Sequence, residues 1–231
     1  MSEGLSGAPR PPWRDKLEIV RQNIKRTQAE TSLEQEREIS NALRDRAEDD
    51  KRDFDSLTGL LRRDRFEAGV QAILSPSDEQ NTIRQKRLSL LFVDIDNFKA
   101  VNDTFGHDKA DDVLRAVADV LKKGVREDDI VARWGGEELV VALPGATERM
   151  AAEIAEELRK KIEQLRFGEA KLRVTASVGV AASDGENPRA LPELMKSADD
   201  AMYFSKESGR NRVTTESGRE TEVRRQGELN V

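Results

Sequence analysis

The chain has 231 residues with a formal net charge of −6, and hydrophobic and charged residues each make up 36% of it. This length predicts one ordinary domain with extensions, and the negative charge argues against nucleic acid as a general partner. The chain has no cysteine and a single histidine, His107, which excludes disulfides, thiolate metal sites and a multi-histidine zinc centre.

The N-terminal segment, residues 1–12, contains glycine and proline and is predicted to be disordered. It lacks the apolar region of a signal peptide. No apolar run in the chain approaches the roughly 20 residues that a membrane span needs. We therefore expect a cytoplasmic protein with no membrane partner.

Residues 13–53 are predicted to form a long helical extension, because they contain neither proline nor glycine and are dense in charge. Coiled-coil spacing begins at Leu17, Val20 and Ile24. Polar residues then occupy the seam, namely Thr27, Thr31 and Glu34. Apolar residues resume from Ile39 in a shifted phase, which is typical of a stutter. Both a solvated helix and a dimerising coiled coil fit this pattern.

Residues 54–215 alternate between helix and strand patterns, which predicts one mixed α/β domain. Its strands are predicted near residues 88–93, 130–143, 172–182 and 212–214, and its main helices near 63–74, 109–123, 147–165 and 191–206. The run from Leu88 to Val93 is apolar on both faces, as in a buried central strand, and Asp94 follows at its carboxyl end. Residues 216–231 are polar and are predicted to form a disordered tail.

A tight hairpin is predicted where two short apolar runs meet at Gly135 and Gly136. Glu137 and Glu138 follow the glycines, and alternation along a strand would point the two side chains to opposite faces. One of these acids could therefore line a site while the other faces elsewhere. Two acids beside a turn are also compatible with a solvated loop.

Asp94 and the hairpin acid Glu137 would meet at one sheet edge if their strands are neighbours. The backbone carbonyl of Ile95 would then lie beside the two carboxylates. An all-oxygen set of this kind suits Mg²⁺ or Mn²⁺, which complete their coordination with water and substrate phosphates. Two such ions would stabilise the attacking and leaving oxygens of a phosphoryl or nucleotidyl transfer.

Lys206 and Arg210 lie four residues apart near the end of the last predicted helix, where they could share one face. Two cations converging on a metal site would clamp a triphosphate. Two alternatives remain open, because Gly209 could end the helix before Arg210 and helix C-termini attract cations in any case.

Seven short motifs in order over residues 55–214 resemble the GGDEF family. They are Asp55-Ser56-Leu57-Thr58-Gly59-Leu60, Asp94-Ile95-Asp96-Asn97-Phe98-Lys99, Asn102-Asp103, Phe105-Gly106-His107-Asp108, Arg133-Trp134-Gly135-Gly136-Glu137-Glu138-Leu139, Ala176-Ser177-Val178-Gly179-Val180, and Ala198-Asp199-Asp200-Ala201-Met202-Tyr203 with the following Lys206 and Gly209-Arg210-Asn211-Arg212-Val213. The resemblance implies a central mixed sheet covered by helices, as in the adenylyl cyclase and polymerase palm cores. It also implies a diguanylate cyclase, which condenses two GTP into cyclic di-GMP and releases pyrophosphate.

The same resemblance implies roles for individual residues. Asp94, the Ile95 carbonyl and Glu137 would bind metal. Asp94, Glu137 and Glu138 would be the catalytic residues, and either glutamate could help to deprotonate the 3′-hydroxyl. The substrate-binding residues would fall into two groups, with guanine read by Asn102 and Asp111, and the triphosphate held by Lys206, Arg210, Lys99 and the backbone near Phe98. A carboxylate suits guanine because the base presents two adjacent donors that adenine lacks.

Arg126 and Asp129 resemble the family's inhibitory site for the product, and the alternative is an exposed pair of loop charges. Acidic residues on the following helix, Glu153, Glu156 and Glu157, are expected to weaken binding of an anionic dinucleotide. The chain departs from the usual family pattern at Arg62, Ala110 and Leu139. The Ala110 methyl group could crowd the base pocket or simply sit on the helix.

Three functions follow as hypotheses. The first is an active diguanylate cyclase, which needs a homodimer because each domain would hold one GTP. The second is a catalytically silent cyclic di-GMP receptor that uses Arg126 and Asp129. The third is another purine nucleotide cyclase, which Asp111 and the hairpin motif argue against.

Overall fold

The computed structural model describes residues 52–74, 87–168, 172–184 and 188–229, except for the side chains of residues 224–229. The predicted disordered N-terminus and nearly all of the predicted helix over residues 13–53 lie outside the described residues. These two predictions therefore remain predictions.

The described residues form a six-stranded mixed sheet with the order β1-β3-β4-β2-β5-β6. The strands are β1 (Leu61–Arg62), β2 (Leu88–Ile95), β3 (Ile130–Gly135), β4 (Glu138–Pro144), β5 (Ala176–Ser183) and β6 (Val213–Thr215). β2 lies at the centre, antiparallel to both β4 and β5, whereas the outer pairs β1–β3 and β5–β6 are parallel. All eight residues of β2 are buried, as the apolar run predicts.

The helices are α1 (Arg63–Leu74), α2 (Phe98–Phe105), α3 (His107–Gly124), α4 (Glu148–Glu163), α5 (Leu191–Glu207) and α6 (Glu216–Leu229). Thr147 begins α4 by accepting a hydrogen bond from the Met150 N–H through its side chain. The predicted central sheet covered by helices is confirmed.

Alternate residues of β2 enter two hydrophobic cores on opposite sides of the sheet. Leu91, Val93 and Ile95 pack in the core that contains residues of α3 and α4. Leu88, Leu90 and Phe92 pack in the core that contains residues of α1 and α5. This three-layer arrangement buries both faces of the central strand, and Asp94 lies near its carboxyl end.

α5 packs unusually close to β5 at Gly179. A Cβ atom added there would lie 1.9 Å from the backbone oxygen of Ala198 and 2.2 Å from the backbone nitrogen of Met202. Glycine is thus required for the close approach that fixes α5, which carries Lys206, against the sheet.

The structure corrects the expectation of a disordered tail beyond Glu216, because residues 216–229 form helix α6. The Glu216 carboxylate accepts hydrogen bonds from Arg189, at 2.6 Å and 3.2 Å. The Ser217 hydroxyl donates to the Glu148 carboxylate at 2.6 Å. Polar composition indicates disorder only where such tertiary partners are missing.

None of the helices in the described part of the chain has the length and apolarity needed to cross a membrane.

Candidate active site

Asp94 and Glu138 face each other across neighbouring strands. β4 pairs with β2 so that Asp94 is in register with Glu138, while Ser177 of β5 is its partner on the other side. The hairpin and the strand-end acid therefore meet at one edge of the sheet, as the sequence predicts. Asp94 is only 4% exposed, so its carboxylate is held close to the protein interior.

The hairpin turn differs from the prediction by one position. β3 extends through Gly135 and β4 begins at Glu138, which leaves Gly136 and Glu137 as the two turn residues. Gly136 has a positive φ of 28°. Glu137 thus lies in the turn and not on a strand, so alternation does not separate its direction from that of Glu138. Strand register instead brings Glu138 opposite Asp94.

Lys206 contacts Asp94 from the helix layer that packs on this face of the sheet. Its Nζ atom lies 2.8 Å from Oδ2 of Asp94. Lys206 is in the last turn of α5, which the close contact at Gly179 holds against β5. The structure thus brings together a lysine and the acids on three separate elements.

The carboxylates at this edge have perturbed pKa values. Burial raises the pKa of Asp94, and the nearby Lys206 opposes this while the charges of Glu137 and Asp96 add to it. Burial also raises the pKa of Glu138, and the charges of Asp94 and Asp199 raise it further. Burial is the first cause of both raised pKa values and neighbouring carboxylates add to it, so a cation beside these groups would favour their charged forms.

This chemistry fits a divalent ion bound through few protein ligands. No three His, Cys, Asp or Glu side chains among the described residues are placed to hold a metal by themselves. An ion at Asp94 would therefore need one of the two glutamates, a backbone carbonyl such as that of Ile95, and oxygens from water or substrate. Mg²⁺ commonly binds in this way.

Arg133 is a residue of this site that the sequence analysis missed. It donates two hydrogen bonds to the carbonyl of Gly136, at 2.9 Å and 2.8 Å, and two to the Asp55 carboxylate, both at 3.1 Å. Asp55 also accepts from the backbone and hydroxyl of Thr58. Arg133 thus ties the hairpin turn to the loop before β1. Its position within the hairpin motif Arg133–Leu139 was the one feature of the sequence that could have indicated this role.

Trp134 anchors the same hairpin from the other side. Its ring lies edge-on to Phe66 and Phe92, and the Arg63 guanidinium lies 4.1 Å from the ring centre. Arg63 also pairs with Glu67. These contacts explain an arginine at position 63. Nothing in the structure explains the Arg62 substitution.

The predicted guanine-reading residues lie on α2 and α3. The Asn102 side-chain oxygen is buried and has no hydrogen-bond partner among the described residues. Such an orphaned acceptor is unusual and fits an atom that a ligand donor satisfies. Asp111 is 42% exposed and only 3.9 Å from Arg115, so its carboxylate remains accessible. Ala110 is buried in the domain, with 3% exposed.

The N-terminus of α2 carries the two remaining predicted phosphate-binding positions, Phe98 and Lys99. The preceding residue, Asn97, has a left-handed conformation with φ 55° and provides no side-chain cap. An uncapped helix N-terminus is a suitable place for an anion.

Arg210 does not share a helical face with Lys206, because α5 ends at Glu207. Gly209, Arg210 and Asn211 follow with positive φ values of 106°, 64° and 47°. Of the two alternatives that the sequence leaves open, the helix ends before Arg210, so helical spacing does not apply to this residue. A left-handed turn, and not the helix, determines its direction.

Arg126 and Asp129 lie apart from the acidic edge, in the loop before β3. The Arg126 backbone N–H donates to Oδ2 of Asp129 at 2.8 Å. Burial raises the pKa of Asp129, partly offset by that hydrogen bond and by the charge of Arg126. Both residues line a cavity of about 450 Å³, together with Phe54, Leu60, Leu61 and Lys122.

The acidic residues of α4 are partly neutralised by neighbouring cations. Glu153 pairs with Arg149 at 2.6 Å, and Glu156 pairs with Arg159 at 2.8 Å. Their repulsion of an anionic ligand is therefore weaker than the sequence suggests.

Comparisons with known proteins agree with this geometry. A family model described as "Diguanylate cyclase, GGDEF domain" matches residues 52–212. The diguanylate cyclase DgcM of Escherichia coli K12 is 40% identical over 159 residues, which cover 69% of this chain and 37% of that protein. The response regulator PleD of Caulobacter vibrioides is 41% identical over 164 residues, which cover 69% of this chain and 35% of that protein. The chain thus spans about a third of the length of these relatives.

Solved structures show the same fold. The coiled coil and GGDEF domain of DgcB from Caulobacter crescentus, in complex with c-di-GMP, is similar with a TM-score of 0.68 and 30% identity, over 80% of this chain and 98% of that one. The active GGEEF domain of a diguanylate cyclase from Vibrio cholerae is similar with a TM-score of 0.58 and 28% identity, over 68% and 96% of the two chains. On its sequence and on its fold, this chain belongs to the GGDEF family.

Proposed function

We propose that the chain is a diguanylate cyclase that converts two GTP into cyclic di-GMP and two pyrophosphates. The observation that carries this proposal is the convergence at one sheet edge of Asp94, Glu138 in register with it, and Lys206 at 2.8 Å. Carboxylates with raised pKa values beside a lysine suit a triphosphate and its counter-ions.

Each domain binds one GTP in this proposal. Lys206 and Arg210 hold the triphosphate, assisted by Lys99 and the backbone at Phe98. The orphaned Asn102 oxygen and the accessible Asp111 carboxylate accept hydrogen bonds from the N1–H and 2-amino groups of guanine. Adenine lacks this donor pair and would leave the acceptors unpaired.

The reaction joins two such domains. The 3′-oxygen of each GTP attacks the α-phosphorus of the other, the bond to pyrophosphate breaks, and the hydroxyl proton passes to a carboxylate or water. Mg²⁺ or Mn²⁺, bound by Asp94, the Ile95 carbonyl and Glu137, would neutralise phosphate charge and favour the 3′-oxyanion. Glu138, which is in register with Asp94, adds a further carboxylate beside this metal site. The functional unit is a homodimer.

Incubation of the full chain with GTP and Mg²⁺, followed by separation of the nucleotides, tests the proposal. We expect cyclic di-GMP from the wild-type protein and a loss of at least about a hundredfold in Asp94→Asn and Glu137→Gln. Asp119→Asn removes an exposed carboxylate that pairs with Lys123 and serves as the matched control. Wild-type turnover in Glu137→Gln would remove the metal assignment, and cyclic GMP as the product would indicate another cyclase.

A second candidate function rests on the cavity bordered by Arg126 and Asp129. An arginine can bind the edge of guanine through its guanidinium and stack on the base. The cavity would bind cyclic di-GMP either as an inhibitory site of the enzyme or, in a catalytically silent protein, as a receptor site.

If the cavity is an inhibitory site, Arg126→Ala should raise the final accumulation of product severalfold without changing the initial rate, as read from progress curves. Lys123→Ala, which removes an exposed lysine of α3 that pairs with Asp119, is the control and should leave the curves unchanged. Binding of cyclic di-GMP without any turnover of GTP would favour the receptor. Progress curves of Arg126→Ala that match the wild type would exclude an inhibitory role for this cavity.

A further inference from the structure

Two adjacent non-glycine residues adopt a left-handed backbone directly after α5. Arg210 has φ 64° and Asn211 has φ 47°. Residues other than glycine are strained in this region and remain there only where surrounding contacts hold them. Arg210 is one of the two cations assigned above to the triphosphate, so the contacts that impose this conformation bear on substrate binding.

Asn211 is held by hydrogen bonds to three residues, one directly after β2 and two on α4. Its backbone N–H donates to Oδ2 of Asp96 at 3.0 Å. Its side-chain oxygen accepts from Nη1 of Arg159, and its side-chain nitrogen donates to Glu163 at 3.0 Å. Every polar group of the side chain is therefore engaged, which leaves Asn211 little freedom to rotate or withdraw.

Both carboxylate oxygens of Asp96 accept hydrogen bonds from protein groups. Oδ1 accepts from the Ser177 hydroxyl at 2.6 Å, and Oδ2 accepts from the Thr175 hydroxyl at 2.7 Å as well as from Asn211. The residue is 5% exposed. It lies two positions after Asp94, so it connects the end of the central strand directly to the left-handed turn.

Arg159 completes the support from α4. Its side chain is 9% exposed and pairs with Glu156 and Glu163, both at 2.8 Å. It thereby holds the Asn211 side-chain oxygen with a charged donor that is itself fixed. Charge-assisted bonds of this type are stronger than neutral ones.

Arg210 is held through its backbone, while its side chain stays exposed. Its N–H donates to the Ser205 carbonyl at 3.0 Å. Its own carbonyl accepts from Nε of Arg212 at 3.4 Å. No hydrogen bond or ion pair joins its guanidinium to any side chain in the described part of the chain. A fixed backbone with an available cation is the arrangement expected of a residue prepared for an anionic ligand.

We propose that Asp96 and Asn211 are positioning residues, which hold the left-handed turn so that Arg210 is directed at the triphosphate. Neither residue touches the nucleotide. The inference rests on the proposed function for the identity of the ligand, but it concerns binding and not turnover. Loss of either positioning residue should therefore weaken nucleotide binding more than it lowers kcat.

Asn211→Gly is the principal test, because glycine accepts the left-handed backbone and keeps the N–H while it removes both side-chain contacts. The probe is 3′-deoxy-GTP with Mg²⁺, which lacks the attacking hydroxyl and cannot cyclise. We expect the Kd of the full chain for this nucleotide to rise on the order of tenfold. The KM for GTP should rise in parallel, whereas kcat should change much less.

A double-mutant cycle separates positioning from general damage to the fold. In an Arg210→Ala background, Asn211→Gly should have no further effect on the Kd, since the residue that it positions is already absent. Arg189→Gln disrupts another hydrogen-bonded arginine network, which joins Glu216, Ser197 and the Ala182 carbonyl. That control should lower stability without changing nucleotide affinity.

Glu163→Ala keeps the test decisive if Asn211→Gly fails to fold. Glu163 is 45% exposed, so its loss should leave the fold intact, and the Kd should rise roughly threefold. An unchanged Kd in folded Asn211→Gly or in Glu163→Ala, or an equal effect with and without Arg210, would overturn the inference. Failure of the proposed function would appear differently, as a wild-type protein that makes no cyclic di-GMP.

Discussion

At the scale of single residues, Asp111 is expected to affect purine selection strongly and folding stability only weakly. Its side chain is 42% exposed and has one weak contact, 3.9 Å from Arg115. An exposed pair of this kind contributes little to folding. In the proposed function, its role is that of an accessible carboxylate that accepts hydrogen bonds from the two adjacent donors of guanine.

We predict that Asp111→Ala relaxes purine choice while it costs less than about 1 kcal/mol of folding free energy. The ratio of kcat/KM for GTP over ATP should fall at least about tenfold, as expected when a base-reading acceptor is removed. The neighbouring Asp112→Ala, which removes contacts to Lys109 and Arg115, is the control. If Asp111→Ala still excludes ATP as strongly as the wild type, guanine is read by other residues.

At the scale of secondary structure elements, the contact between α5 and β5 determines where Lys206 lies. Gly179 allows the helix backbone to approach the strand within a distance that any side chain would block. Because the obstructing atoms belong to the backbone of Ala198 and Met202, they cannot move aside as a flexible side chain could. The helix itself would have to shift.

Gly179→Ala should therefore lower the free energy of unfolding by about 1–3 kcal/mol or more, measured by urea denaturation. Nucleotide affinity should fall with it, since the shift of α5 displaces Lys206 from Asp94. Gly69→Ala on α1 is the matched control, because its Cβ would meet only the end of the Ile130 side chain, at 3.1 Å. Equal stabilities of the two variants would contradict the proposed role of the close contact.

The docking of α6 depends on a titratable contact between Glu216 and Arg189. Burial raises the pKa of Glu216, but hydrogen bonds from Arg189 and Ser197 and the charge of Arg189 outweigh it, so the pKa lies below its ordinary value. A lowered carboxyl pKa stabilises the folded state at pH values above that of an unfolded glutamate, about 4.3. This stabilisation is lost as the pH falls through the lower folded pKa.

We accordingly predict that acidification below about pH 4 releases α6 before the sheet unfolds. Hydrogen exchange in residues 216–223 reports on this release. At neutral pH, Glu216→Gln should already show the faster exchange and should lose about 1 kcal/mol or less of stability. Glu193→Gln, which removes a more exposed partner of Arg189, should have a smaller effect. Protection in Glu216→Gln equal to that of the wild type would show that other contacts hold the helix.

At the scale of the whole molecule, the proposed reaction needs two active sites facing each other. One domain provides one acidic edge and one set of triphosphate-binding cations, whereas the product contains two nucleotides. Residues 51–231 form one compact unit by themselves. Outside this unit, the sequence predicts self-association only through the part of the predicted 13–53 helix that precedes residue 51, and the seam of that helix is interrupted by polar residues.

We predict a reversible dimer whose specific activity rises steeply with protein concentration. Deletion of residues 1–50 should leave a folded domain that binds 3′-deoxy-GTP but turns GTP over slowly. Ile24→Glu, in the predicted seam, should imitate the deletion, and Gln22→Glu, outside the seam, should not. If the truncated domain matches the full chain at low concentration, dimerisation lies in the catalytic domain.

The sequence by itself determined the family and the mixed sheet with its central strand, and it predicted that Asp94 meets Glu137 on the condition that their strands are neighbours. These features follow from local patterns. The short run from Leu88 to Val93, apolar on both faces, is typical of a buried strand, and a glycine pair between two apolar runs is typical of a hairpin. The order of the motifs then restricts which strands become neighbours.

Only the tertiary structure decided which acid lies opposite Asp94, where Arg210 is held and whether the tail folds. The register between β2 and β4 brings Glu138, and not Glu137, across from Asp94. The left-handed turn replaces a helical spacing, and α6 forms because Arg189 and Glu148 contact its first residues. Each of these depends on partners distant in the sequence, which no local pattern contains.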